Sequence, residues 1–121
     1  MHVADMNGDG FLDVVSSSLD DDTIAWYKND GQSSPGWTST NIDTSRSSAR
    51  AVDVADMDGD GDLDIVTASS GDDTIAWYAN GGQSTPSFTK TDISNTADGA
   101  RDVRAADMDG DGDVTLIDQA Y

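Results

Sequence analysis

The 121 residues carry 24 acidic side chains, every one of them Asp, against 6 Lys and Arg, for a formal charge of −18. That balance excludes nucleic acid and anionic membrane as partners, because phosphate binding needs a basic face. The chain has no Cys, which excludes disulfides, thiolate metal sites and a Cys nucleophile, and no apolar run reaches the roughly 18 residues a membrane span needs.

The opening Met1-His2-Val3-Ala4-Asp5 has neither the basic nor the apolar region of a signal peptide. It begins part-way through a repeat, so a piece of a longer protein is expected. Asp5 starts the first copy of an acidic segment, DMNGDGFLD, which returns as DMDGDGDLD at Asp56 and as DMDGDGDVT at Asp107. The repeat reaches far beyond the loop. Residues 21–27, DDTIAWY, recur unchanged as residues 72–78. Asn29, Gly31, Pro35, Ile42, Ala49 and Arg50 recur as Asn80, Gly82, Pro86, Ile93, Ala100 and Arg101. Internal repetition of this length marks a repeat architecture.

Within one copy, residues 50–55 lead into the acidic loop, residues 63–68 follow it, and residues 74–78 and 88–93 complete the unit. Their β-branched and aromatic content predicts strands. Gly71-Asp72-Asp73 and Asn80-Gly81-Gly82 supply turns, and no stretch has a sustained helical period. The fold expected is all-β: tandem four-stranded antiparallel blades of a β-propeller, with repeats over residues 1–50 and 51–100 and a partial one over 101–121. Propellers close with about 4–8 blades, so either a longer chain or several copies would complete the ring, and the longer chain is favoured.

In the second loop carboxylates stand at Asp56, Asp58, Asp60, Asp62 and Asp64. A pair of unit charges at 4 Å repels by about 4 kcal/mol even at an effective dielectric of 20, so the crowding makes sense around a cation. An oxygen-only donor set selects a hard ion, and calcium accepts six to eight such oxygens from a flexible loop. Acid restricted to Asp fits loop-bound ligands rather than general solubility. The helix-loop-helix calcium motif needs an acid at position 12, where Ser16 and Thr67 stand; position 9 carries Asp13 and Asp64 instead. The expected ligands are therefore Asp5, Asn7, Asp9 and Asp13 with the Phe11 carbonyl, then Asp56, Asp58, Asp60 and Asp64 with the Asp62 carbonyl. A solvated acidic loop is the bland alternative, and three copies in fixed register weigh against it.

The third loop departs from the pattern. Asp107, Asp109 and Asp111 remain as ligands with the Asp113 carbonyl, but position 9 is Thr115 and position 12 is Asp118. Either Thr115 contributes to a β-hairpin site, or Asp118 closes a helical loop of dockerin type, with residues 116–121 starting a helix. Two to three calcium ions are expected in all.

Trp26, Tyr27, Trp77 and Tyr78 are expected to pack between blades rather than to offer a sugar platform, and Trp37 and Phe88 to seal the outer strand. Arg50 and Arg101 are expected to form salt bridges. His2, the single histidine, lies at the terminus and makes a Ser-His-Asp triad implausible. The paired Asp residues are used as metal ligands, which leaves none for acid–base catalysis.

The segment VADMDGDGDLDIV from Val54 to Val66, with the TIAWY segments and the asparagines two residues beyond them, resembles the FG-GAP/VCBS repeat family of integrin α-type and bacterial secreted propellers. The Phe-Gly and Gly-Ala-Pro sequences behind the name are missing, so the likeness is to the VCBS-like branch and integrin-type ligand recognition is not implied. The resemblance implies a non-catalytic, calcium-stabilised module of a secreted or cell-surface protein that binds protein or carbohydrate, as in adhesion. An accessory domain of a secreted polysaccharide-degrading enzyme, or a lectin, are the alternatives.

Overall fold

The computed structural model describes residues 1–34, 36–82, 87–106 and 115–119. The first sheet is built from His2–Ala4 (β1), Asp13–Ser18 (β2), Thr23–Asn29 (β3) and Trp37–Asp43 (β4), in the order β1-β2-β3-β4. Its repeat is Ala49–Ala55 (β5), Asp64–Ser69 (β6), Thr74–Asn80 (β7) and Phe88–Ser94 (β8), again in chain order. Asp102–Ala106 (β9) pairs with Thr115–Gln119 (β10). Every pairing is antiparallel, and no helix occurs among the described residues. These are the expected propeller-type blades.

The copies match in detail. The register slips between Ile24 and Ala25 in one sheet and between Ile75 and Ala76 in the other. The β2–β3 and β6–β7 turns place Asp22 and Asp73 at φ 57° and 54°, a left-handed conformation that Asp tolerates better than most side chains.

Strand alternation decides what packs on what, because neighbours along a strand face opposite sides. Val15 and Trp26, paired across β2 and β3, face the second sheet. There they meet Val52, Ile65, Ala76 and Tyr78. One residue further along, Val66, Ala68 and Ile75 face away and pack with Ala97, Ala100 and Val103. The sheets thus stack face to face, each covering the next. Full burial of a side chain such as Val15 or Ile65 stabilises by roughly 1.5–3 kcal/mol.

The structure bears out the packing of Trp26 and Tyr78, which are 2 % and 1 % exposed. Trp77 packs against the second cluster. Trp37 corrects its expectation. It is 50 % exposed while Phe88 packs on the core, so the outer strand of the first sheet is not sealed.

Candidate metal centre

Each described acidic loop joins the first strand of a sheet to the second, residues 5–12 between β1 and β2 and residues 56–63 between β5 and β6. The first carboxylate organises the loop. Asp56 Oδ1 accepts from the N–H groups of Gly59 and Asp60 at 2.8 and 3.1 Å, and Oδ2 from Gly61 at 2.9 Å. Asp5 takes the same three bonds from Gly8, Asp9 and Gly10. The turn needs φ 76° and 92° at Gly59 and Gly61, which glycine adopts at no steric cost. Those N–H groups, Gly61 first, hold the Asp56 carboxyl below its ordinary value.

One carboxylate oxygen each from Asp56, Asp58 and Asp64 lies within 4.8 Å of the others. Asp60 stands beside this trio, accepting from Asp62 N at 2.9 Å. The Asp62 carboxylate instead lies against Gly82. The Asp58 carboxyl is pushed above its ordinary value by desolvation in the crowded loop and by the charges of Asp64 and Asp60, against a bond from Asp60 N. A convergent, mutually repelling, all-oxygen donor set is the chemistry that calcium fits. In the first loop Asn7 replaces one of these acids, and its amide donates to Asp9 Oδ2 at 3.0 Å.

Asp13 and Asp64 are tied more tightly than spacing alone suggests. Both are fully buried. Asp64 accepts from Met57 N at 2.9 Å and Asn80 N at 2.8 Å, and Asp13 from Met6 N at 3.1 Å and Asn29 N at 2.9 Å. Each pins the loop entrance to the end of the third strand. A carboxylate oxygen has two lone pairs, so these bonds leave room for a metal. Asn29 and Asn80 complete the pin by donating to Leu12 O and Leu63 O, at 3.1 and 2.9 Å. Their recurrence in the repeat was the available signal, although it reads at first only as a turn.

The loops also reach the core. Met6 is 2 % exposed within the cluster between the first two sheets, and its carbonyl accepts from Asn80 Nδ2 of the second sheet at 3.0 Å. Met57 packs against the next cluster. An ordered loop therefore plants a methionine between one sheet and the next.

Asp107, Asp109, Asp111 and Asp113 lie outside the described residues. Thr115 and Asp118 fall on β10, where Thr115 is opposite Ala106 and Asp118 opposite Val103. This corrects the helical alternative. Residues 115–119 use their backbone in a ladder with β9, so Asp118 is not the closing residue of a helical loop.

Arg50 needs a correction too. Arg50 gives its Nε to Ser70 Oγ at 2.7 Å rather than to a carboxylate, since it sits at the register shift of β5, exposed, opposite a serine turn. Among the described residues it is Arg46, itself buried, that reaches three carboxylates, Asp43, Asp72 and Asp92, at 3.2, 3.4 and 3.2 Å. His2 contacts Asp53 at 3.3 Å.

A family model described as an FG-GAP-like repeat matches the chain twice, over residues 5–67 and 56–117. No curated protein and no solved structure matches it.

Proposed function

Because the chain belongs to the FG-GAP-like repeat family, we propose that it is a non-catalytic, calcium-stabilised propeller segment that presents a binding surface to a protein or carbohydrate outside the cell. The observation that carries this reading is the convergence of Asp56, Asp58 and Asp64 within 4.8 Å, at the mouth of a loop whose methionine is packed between sheets. Asp5, Asn7, Asp9 and Asp13 would hold one ion and Asp56, Asp58, Asp60 and Asp64 another. The ion's contribution is charge neutralisation and loop order, not chemistry on a substrate. Extracellular calcium modules bind at about 0.1–1 mM, so a calcium-rich medium would keep such sites filled.

With calcium at about ten times its dissociation constant, each site adds about 1.4 kcal/mol of stability. Chelator should lower the melting temperature by several degrees, and calcium should restore it. Equal melting curves with and without chelator would overturn the reading.

A further inference from the structure

A cavity of about 270 Å³ opens beside the first acidic loop, lined by Asp9, Phe11, Lys28, Asn29, Asp30 and Thr38. The second repeat separates what the fold needs here from what it does not. Asp9, Asn29 and Thr38 recur as Asp60, Asn80 and Thr89, whereas Phe11, Lys28 and Asp30 are replaced by Asp62, Ala79 and Gly81. The second sheet folds with the same strand order without them.

The three departures are set up locally. The Phe11 ring rests against Gly31, where any side chain would collide with it, yet the residue is 45 % exposed. Lys28 and Thr38 are cross-strand partners and so point to one side. Lys28 makes no ion pair among the described residues, although two carboxylates line the same cavity. Asp30 uses Oδ1 for Gln32 N at 3.1 Å and leans on Gly36. In the second sheet the small partner is swapped, with Gly81 against Ser87.

We infer that this cavity binds a non-acidic pyranose, with the sugar's C–H face on Phe11 and its hydroxyls on Lys28, Asp30 and Thr38. An exposed ring with a few convergent donors and acceptors suits a ligand that is apolar on one face and polar at its edge. Charge disfavours an acidic sugar, because Asp30 stands in the site and the chain as a whole carries −18. This deepens the binding-module reading and rests on it for carbohydrate as the partner, but not for the calcium.

The test is saturation-transfer NMR in calcium buffer with the methyl pyranosides of galactose, glucose and mannose, and with glucuronate as the acidic comparator. At least one neutral pyranoside should bind saturably, with a dissociation constant on the order of 1 mM. Phe11→Asp and Lys28→Ala, which install the second repeat's residues, should each weaken it about tenfold or more, and Lys28→Ala should leave melting unchanged. Absence of saturable binding by all three, wild-type binding in both variants, or equal binding of glucuronate would overturn the site. Calcium titration of the same samples reads the metal proposal separately: calcium uptake without sugar binding sinks only the pyranose site, and sugar binding without uptake sinks only the calcium.

Discussion

Asp58 in the acidic loop and Asp64 at its exit, on β6, stand six residues apart and do opposite things for the fold. Asp58 is exposed and raised in pKa by desolvation and by its charged neighbours. Ionised and without a counter-ion, it opposes folding. Asp64 is buried and accepts two backbone N–H groups, which an Asn side chain, with one oxygen, cannot replace. Asp58→Asn should therefore raise stability in chelator and reduce the gain on adding calcium. Asp64→Asn should destabilise by about 1–3 kcal/mol with or without calcium. Urea unfolding of both variants in the two buffers checks the crossing of signs. Periodic spacing placed both carboxylates at the candidate metal site. It could not tell the exposed one from the pinned one, because the pinning partner Asn80 is 16 residues away.

Between the elements, the contact absent from any motif is the clasp around Arg46. It is 4 % exposed, in the connection from β4 to β5, and its three carboxylates come from both sheets. Tyr78 O–H donates to Asp43 Oδ2 at 2.7 Å, and Lys90 approaches the same oxygen at 3.6 Å. Burial alone would raise the Asp43 carboxyl, but bonds from Ser45, Tyr78 and Arg46 outweigh it and hold it well below the carboxylate range. A depressed folded pKa contributes stability that is present above the unfolded value of about 3.9 and is lost as pH falls toward the folded one. In chelator, wild-type stability should fall as pH drops below about 4, and Asp43→Asn should remove part of that slope. Arg46→Ala should cost about 3–5 kcal/mol at neutral pH, since it strands a buried charge. The double variant should cost less than the sum of the two. The sequence hides this clasp because Ala97 occupies the equivalent position in the second repeat, where the next interface is apolar.

Across the whole molecule, a charge of −18 acts against the stacking of sheets that the two clusters favour. Screening has a length of about 10 Å at 0.1 M salt, comparable to the spacing of packed sheets. Raising sodium chloride from about 0.05 to 0.5 M should therefore stabilise the chelated protein more than the calcium-loaded one, in which the densest charge is already neutralised. Denaturant midpoints in a two-by-two comparison of salt and calcium would show this as a difference of differences. Equal salt effects would place the repulsion elsewhere than in the acidic loops.

The strands, their order and the position of the acidic loops between first and second strands were legible in the sequence, because each rests on local pattern: β-branched runs, turn residues and a repeat that shows every element twice. The ends agreed to within a residue or two, as with residues 74–78 expected and Thr74–Asn80 observed. Which face each strand buries, which Asp is sealed from water, where Arg46 finds its partners and how Phe11 comes to lie over Gly31 were decided only by the tertiary structure. These features join residues separated by tens of positions. Their energies come from removing particular atoms from water next to particular partners, which no one-dimensional period records.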